Sequence, residues 1–218
     1  MTPPLIRAHG AERKLMPFLH LPVQSGADRI LAAMNRGHGV DRYLRLVEAL
    51  RAAQPEIALS SDFIVGFPGE TEADFEATLA LVREVEFAQA FSFKYSPRPG
   101  TPAADREDRV PAEVAAERLS RLQDLLDEQK RRFNASTIGR TLPVLFEKRG
   151  RYPGQVAGRT PFMQWLHVEG EEALIGTVAE ATVTEASANG LGGELAQHAG
   201  TRVRAGDVRV EAAGGVPA

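Results

Sequence analysis

The feature that most constrains the fold is an alternation of short apolar runs and amphipathic stretches in the first half of the chain. Apolar runs at residues 18–23, 57–65 and 88–95 predict three strands, and the stretches between them carry apolar residues at helical spacing. The run at 57–65 is apolar on both faces, as is typical of a strand in a covered parallel sheet. The alternation therefore predicts an α/β fold, with a parallel sheet, helices outside it and right-handed crossovers.

Short polar residues mark the expected helix starts. Ser25 with Asp28, and Thr71 with Asp74, have the spacing of a capping box in which Asp takes the usual place of Glu. Asp41 precedes another helical pattern, and its carboxylate suits the cap position, where it would accept from free backbone N–H groups. We therefore expect side-chain caps at all three helices.

The second half of the chain has a different pattern. Pro111 suits the first turn of a long helix with apolar residues along one face. From Thr141 the chain consists of short β-like segments, most of them separated by Gly, Pro or Asn. This pattern predicts a small all-β barrel of about five strands.

These patterns divide the chain into three parts. We expect one domain at residues 1–136, a β-barrel at 137–200 and a tail at 201–218. Within the tail, residues 202–210 alternate enough to allow one strand.

Composition excludes several classes of protein and site. The sequence contains no cysteine, so it has no disulfide, no thiolate metal site and no cysteine nucleophile. The net charge of −3 argues against a polycation that coats nucleic acid, so any RNA contact must come from a local patch. No apolar run has the length of a membrane span, and residues 1–14 lack a signal-peptide pattern. We therefore expect a cytoplasmic protein with no membrane partner.

Candidate binding residues lie at the ends of the three predicted strands. Ligands of parallel α/β folds bind at the carboxyl ends of strands, and glycines there let backbone approach a ligand closely. A helix N-terminus after the second strand would add N–H groups suited to a carboxylate or a ribose oxygen. Capped turns and a rigid proline-rich loop explain the same patterns without a ligand. The candidates at these strand ends are Gln24, Ser25, Asp62, Gly66, Tyr95 and Ser96.

Two nearby residues need a separate interpretation. His20 falls inside the first strand, where a hydrogen-bonded core histidine is a better interpretation than a ligand. Asp62 lies within an apolar strand and must have a hydrogen-bond partner or face a polar cavity.

Candidate RNA contacts lie in a loop and on the predicted barrel. Arg98, in the loop after the third strand, suits a carboxylate or a phosphate. Basic residues near barrel hairpins, with Trp165 close by, fit an RNA-binding surface. Neighbouring glutamates make a solvated surface equally good, and Trp165 also fits a core position. The barrel candidates are Lys148, Arg149 and Arg159.

Three strings together resemble a known enzyme family. They are LHLPVQSG at 19–26, SDFIVGFPGETE at 61–72 and FKYSPRPGTPA at 93–103. In this order and spacing they resemble the MiaB-type radical-SAM tRNA methylthiotransferases, and the terminal β region resembles the TRAM domain of that family. The resemblance implies the C-terminal portion of a radical-SAM parallel barrel of partial TIM type, followed by a small OB-like TRAM barrel.

The resemblance also implies a chemistry. The family adds a methylthio group to an isopentenylated adenosine beside the tRNA anticodon, using S-adenosyl-L-methionine (SAM) and 4Fe-4S clusters. By this analogy the six strand-end residues wall the SAM pocket, while Arg98 and the three barrel cations face the anticodon stem-loop. Because the family holds its clusters through cysteines upstream of these motifs, the resemblance assigns this chain no catalytic residue and no metal ligand.

Three hypotheses follow for a chain without cluster ligands. The first is the C-terminal part of such an enzyme, inactive by itself. The second is a stand-alone RNA-binding module that uses the TRAM barrel, and the third is one half of a split enzyme. In the third, a cysteine-bearing chain would cover the open barrel edge, and a second copy of this chain is the remaining candidate for that role.

Overall fold

The structure is a computed structural model that describes residues 1–187 and 189–196, together with the backbone of Val203 and Arg204. Contacts between Cα atoms divide the chain into two compact units, Met1–Ser136 and Thr137–Ala218. That the two are independent domains stays a prediction.

The first unit is a three-stranded parallel sheet with helices. Its strands lie in the order β1-β2-β3, with Leu19 beside Leu59 and Phe63 beside Ser92. This confirms the sheet expected from the sequence, whereas the first helix was not expected. The elements are α1 (Pro3–Ala11), β1 (Phe18–His20), α2 (Asp28–Ala33), α3 (Val40–Ala53), β2 (Ala58–Val65), α4 (Glu72–Val85), β3 (Gln89–Lys94) and α5 (Ala112–Ala135).

One face of the sheet carries the core of this unit. Phe63 on β2 is fully buried among apolar side chains of α3, α4 and α5 and meets the ring of Phe87 edge-on, with centroids 5.5 Å apart. Full burial of each such side chain contributes about 1.5–3 kcal/mol. Alternate residues of β2 point the other way, toward a face on which Phe91 and Phe93 are 48% and 54% exposed. The sheet is thus covered on one side and open on the other.

Only one of the three expected side-chain caps forms. The Thr71 hydroxyl accepts from the Asp74 N–H, and the Asp74 carboxylate accepts from the Thr71 N–H, so this capping box is confirmed. The expected box of Ser25 and Asp28 is wrong, because α2 begins without any side-chain cap. Ser25 Oγ instead accepts from the Ala27 N–H at 3.2 Å and lies 3.4 Å from Thr78 Oγ1 on α4.

The expected cap at Asp41 is also wrong. Helix α3 begins at Val40 with Gly39 at the cap position, so Asp41 lies inside the first turn. The Val40 N–H donates to Asp28 Oδ1 at 2.7 Å, so a carboxylate twelve residues away does the capping.

The second unit is a closed five-stranded barrel. The strands lie in the order β4-β5-β6-β8-β7, and pairing between β4 and β7 closes the ring. Val144, Phe146 and Leu166 fill the interior and are fully buried. The elements are β4 (Thr141–Arg149), β5 (Gln155–Arg159), β6 (Trp165–Glu169), a 3-10 helix (Glu172–Leu174), β7 (Thr177–Ser187), β8 (Gly190–Leu195) and β9 (Val203–Arg204).

The barrel confirms the expected fold class, with one local difference. Segments at 174–178 and 181–183, expected as separate strands, form the 3-10 helix and one long strand, β7. Short β9, which pairs with β7, falls within the stretch 202–210. The rest of the expected tail at 201–218 lies outside the described residues. Among the described helices, none has the length and apolar composition needed to cross a membrane.

Candidate functional site

The open face of the sheet carries a polar cluster. His20 Nδ1 lies 3.0 Å from Ser60 Oγ, and His20 Nε2 lies 3.4 Å from Asp62 Oδ2. The side chains of His20 and Asp62 are 41% and 29% exposed, so the expectation of a core histidine is wrong. Strand alternation places His20 on the face away from the helices. The Asp62 carboxylate has His20 as the polar partner that a carboxylate within an apolar strand requires. It is also partly exposed to solvent.

Gln24 continues the sheet beyond β1. Its N–H donates to the Asp62 carbonyl and its own carbonyl accepts from the Ile64 N–H, both at 2.9 Å. Gln24 is 6% exposed and has a φ of 80°, a left-handed conformation that costs a non-glycine residue free energy. The surrounding sheet bonds impose this strained backbone at the strand end.

Ser25 is occupied by contacts within the protein. The residue is 1% exposed, and its Oγ accepts from the Ala27 N–H at 3.2 Å and lies near Thr78 Oγ1. Thr78 Oγ1 also accepts from the Gly26 N–H at 2.9 Å. Ser25 therefore shapes the turn after the first strand and has little hydrogen-bonding capacity left for a ligand.

The turn after β2 requires a glycine. Gly66 has a φ of 72°, and a Cβ added there would lie 2.7 Å from the Ala115 Cβ on α5. Its N–H donates to Glu70 Oε1 at 2.9 Å. The N–H group that could have met a ligand is thus used to close the turn.

A buried ion pair that the sequence analysis missed supports this turn. Arg118 Nη1 lies 2.8 Å from Glu70 Oε1, and the two side chains are 6% and 2% exposed. Arg118 Nη2 also meets Glu72 Oε2 at 3.1 Å. Burial raises the pKa of Glu70, opposed by the Gly66 N–H and the Arg118 charge. The available signal was an arginine on the apolar stripe of α5, between Ala115 and Leu122.

The N-terminus of α4 is also occupied. The Thr71 N–H donates to Asp74 Oδ2 at 2.7 Å, and Arg29 Nε donates to Asp74 Oδ1 at 2.8 Å. Burial alone would raise the pKa of Asp74, but hydrogen bonds from Thr71 and Arg29 hold it below its usual value. The N–H groups of Gly66 and Thr71, which we expected to suit a ligand, therefore meet protein carboxylates.

Tyr95 lies at the end of β3 in a different environment. Its ring meets Phe67 edge-on at 5.0 Å, and its hydroxyl oxygen is buried without a hydrogen-bond partner. Tyr95 and Gly66 line a cavity of about 250 Å³ together with Lys94 and Arg109. The structure thus brings these two candidates together, while Gln24, Ser25 and Asp62 lie outside that lining. Ser96 and Arg98 are exposed in the loop that follows.

The three candidate cations of the barrel are not equivalent. Lys148 Nζ lies 4.1 Å from the ring centroid of Trp165, and Arg159 Cζ lies 3.8 Å from the same centroid. Arg149 instead makes an exposed ion pair with Glu172, at 2.7 Å. Trp165 is half-buried and alternates with buried Leu166 and Val168, so the alternative of a core tryptophan is wrong.

The residues fit one of the two expected cofactors. The sequence has no cysteine, and the described part of the chain has no group of three His, Asp or Glu side chains placed to hold a metal. An iron–sulfur cluster therefore does not fit this chain. SAM is a nucleoside with hydroxyl, amino and carboxylate groups. Asp62, which reaches solvent, and the unpartnered Tyr95 hydroxyl have hydrogen-bonding capacity for such groups.

Comparisons with known proteins identify both parts of the chain. The family model described as the Radical SAM superfamily matches residues 6–82, and the TRAM domain model matches residues 135–196. Proteins named tRNA-2-methylthio-N(6)-dimethylallyladenosine synthase, from three strains of Cereibacter sphaeroides, are 57–58% identical to the chain over 194 residues. The aligned region covers 89% of the chain and 44% of each relative, so the chain spans less than half the length of these curated relatives.

Proposed function

The chain belongs to the MiaB-type radical-SAM tRNA methylthiotransferases, and we propose from this premise that it serves the methylthiolation of isopentenylated adenosine beside the tRNA anticodon. The observation that carries the proposal is the 57–58% identity over 194 residues, which extends across both matched domains. Its parallel sheet would contribute to the SAM site and its barrel would bind RNA.

The strand ends supply the proposed SAM contacts. When bound, SAM supplies the methyl group and the radical chemistry on which the family depends. Asp62 would accept hydrogen bonds from ligand hydroxyl or amino groups, and the Tyr95 hydroxyl would gain the partner that it lacks. Gln24, Ser25 and Gly66 would shape the walls through backbone positions that the protein itself holds fixed. Ser96 would border the site from the exposed loop.

The iron–sulfur part of the reaction requires residues that this sequence does not have. Clusters of this kind are held by thiolates, and the chain has none. We therefore expect no methylthio transfer by the chain alone, and the cluster ligands must come from cysteines outside this sequence. A chain purified alone that transfers a methylthio group would overturn this part of the proposal.

The RNA side of the proposal rests on the barrel and on one loop. A small closed barrel with basic and aromatic side chains on its outer face is a common RNA-binding module. Lys148 and Arg159 lie on that face, and exposed Arg98 would approach the RNA from the first unit. The proposed partner is the anticodon stem-loop of tRNA, and the proposed location is the cytoplasm.

The proposal is tested in native cells by mass spectrometry of tRNA nucleosides. Deletion of the coding segment for this chain should abolish 2-methylthio-isopentenyladenosine and leave isopentenyladenosine in its place. D62N should reduce the methylthiolated fraction strongly, because an amide cannot accept at both terminal atoms as the carboxylate does. D124N, at an exposed position on α5, is the matched control and should match wild type.

The outcomes separate the two parts of the proposal. Full methylthiolation after the deletion would overturn the proposed function. A D62N strain indistinguishable from D124N would overturn the role of Asp62 and leave the function of the chain standing.

A further inference from the structure

We propose that Lys148 and Arg159, held against the indole of Trp165, form a binding site for the phosphates of an RNA backbone. The inference rests on the proposed function, because it takes the barrel to be the RNA-binding part of the chain. It goes further by stating which chemical group of the RNA is bound and which cations bind it.

The register of the barrel strands brings these groups together. Arg159 on β5 lies directly opposite Trp165 on β6. In a neighbouring row of paired residues, Lys148 on β4 lies beside Ala157 on β5, and Ala157 lies beside His167 on β6. Because both cationic groups lie within about 4 Å of one ring centroid, they are no more than about 8 Å apart.

The two positive charges are not neutralised within the described part of the barrel. Lys148 is exposed and forms no ion pair there, and Arg159 donates to the Met163 carbonyl at 2.8 Å, a neutral acceptor. By contrast, Arg149 meets the Glu172 carboxylate at 2.7 Å. Two neighbouring cations, neither of them in an ion pair within the described part of the barrel, favour a strongly anionic group such as a phosphate.

The arrangement favours a phosphate over a stacked base. A base stacking on Trp165 would need an open ring face, whereas the ring is half-buried and contacts both cations. In the proposed site a phosphate at the rim of the indole would meet both cations, which lie no more than about 8 Å apart. The ring holds two flexible side chains in place, so less conformational entropy is lost when the anion binds. Such contacts position RNA without reading its bases.

Two glycines on β8 leave room for the RNA backbone to approach. On β8, Gly190 adjoins Trp165 and Gly192 is paired with His167, so no side chain rises beside either ring from that strand. The carboxylate on the same row as His167 belongs to Glu185 on β7, beyond Gly192. Glu185 thus lies on the side away from Lys148, whereas exposed Glu169 is on the same face of β6 as His167 and exposed Glu147 directly precedes Lys148.

The test measures RNA binding by the full chain as a function of salt. Two fluorescently labelled RNA hairpins with different loop sequences are titrated with wild type, K148Q, R159Q and R83Q at several KCl concentrations. K148Q and R159Q should each weaken binding to both hairpins equally. Each should also reduce the slope of log affinity against log salt by about 0.7–0.9, the value of one lost phosphate contact. R83Q, a control that removes an exposed cation of α4 outside the barrel, should change the slope little.

A further variant separates phosphate binding from base stacking. W165L keeps both charges, so the salt slope should persist while affinity falls less than in the K148Q/R159Q double variant. If W165L instead loses the most RNA affinity, and K148Q and R159Q lose little, bases stack on the ring and the inference is wrong. Lys148 is exposed, so K148Q decides the question even if R159Q fails to fold.

Failure of the inference is distinguishable from failure of the proposed function. Wild-type chain that binds neither hairpin overturns the RNA-binding part of the proposed function together with the inference. Salt-dependent binding by wild type, with K148Q and R159Q indistinguishable from R83Q, overturns the inference alone.

Discussion

Arg118 and Glu70 form a buried ion pair that links the long helix α5 to the turn after β2. Arg118 Nη1 contacts both the carboxylate of Glu70, at 2.8 Å, and its carbonyl oxygen, at 3.2 Å. Glu70 in turn accepts from the Gly66 N–H. One arginine, 48 residues further along the chain, thus fixes the turn at which the proposed cofactor site begins.

Loss of Arg118 should be among the most damaging substitutions in the first unit. R118M leaves Glu70 as a buried carboxylate without its cation, which costs about 3–5 kcal/mol of unfolding free energy. E70Q should cost less, because Arg118 keeps Glu72 as a partner at 3.1 Å. Chemical denaturation measures both values, and an R118M protein as stable as wild type would contradict the prediction.

The loss of unfolding free energy in R118M, relative to wild type, should depend on pH. Burial raises the folded-state pKa of Glu70 above its ordinary value of 4.5, and the Arg118 charge is one of the contacts that limit this rise. A carboxyl group whose pKa is raised in the folded state stabilises the protein at pH values below its ordinary pKa. This stabilisation is lost as pH rises through the folded-state pKa. Without Arg118 the pKa rises further, so the deficit should be smallest near pH 4 and grow toward pH 7. The double variant E70Q/R118M should lose most of this pH dependence.

The capping box of α4 predicts the opposite pH dependence. Hydrogen bonds hold the folded-state pKa of Asp74 below its usual value, so its contribution to stability is present above that value and is lost as pH falls through the folded-state pKa. D74N weakens the cap of Thr71 and the ion pair with Arg29, and should cost about 1–2 kcal/mol at pH 7. The difference from wild type should shrink below about pH 4.

The control for D74N is D127N, at an exposed position on α5. Its unfolding free energy should stay within about 0.5 kcal/mol of wild type at every pH. A D74N deficit that is unchanged in acid would show that its cause is not the carboxylate charge.

The sequence predicts an element well where the deciding contacts are local. The capping box joins Thr71 and Asp74, only three residues apart, and it formed as expected. The same pattern failed at Ser25, whose hydroxyl meets the Ala27 N–H and Thr78, the latter 53 residues away. The strands were predictable from their apolar runs, but the expectation that both faces of the sheet are covered was wrong, because one face carries the exposed Phe91 and Phe93.

The geometry of the candidate site was less predictable, because the contacts that decide it join residues far apart in the sequence. Period-two alternation separates His20 from its neighbours but does not say which face of the sheet the helices cover. The contact of Arg118 with Glu70 depends on how α5 crosses the sheet, which no local pattern records. On the barrel, proximity in sequence grouped Lys148 with Arg149, whereas strand register grouped Lys148 with Arg159 around Trp165.

Gln129 should be essential for the junction between α4 and β3. Its side-chain amide donates to the Val82 carbonyl at 2.7 Å and accepts from the Phe87 N–H at 3.0 Å, and the residue is 3% exposed. Q129L leaves the Phe87 N–H buried without its partner, at about 1–3 kcal/mol, while the Val82 carbonyl keeps the Glu86 N–H as a donor. Q123L, at an exposed position on the same helix, should change the unfolding free energy by less than about 0.5 kcal/mol. Equal effects of the two variants in chemical denaturation would contradict the prediction.

Gly66 should tolerate no side chain while Ala115 is present. G66A faces two costs: a left-handed backbone at φ 72°, at about 1 kcal/mol, and a Cβ only 2.7 Å from the Ala115 Cβ. A115G removes the clash, although it lowers helix propensity by about 1 kcal/mol by itself. The cost of G66A, measured by denaturation in the A115G background, should therefore fall to the backbone cost alone.

A control glycine separates crowding from the general effect of losing a glycine. A Cβ at Gly37 would meet nothing within 4 Å, and the residue has no positive φ, so G37A should stay within about 0.5 kcal/mol of wild type. If G66A costs the same in both backgrounds, the left-handed backbone carries the whole effect and the close approach of α5 does not. If the cost falls with A115G, the contact between Gly66 and Ala115 sets how closely α5 can approach the turn that Arg118 holds from the same helix.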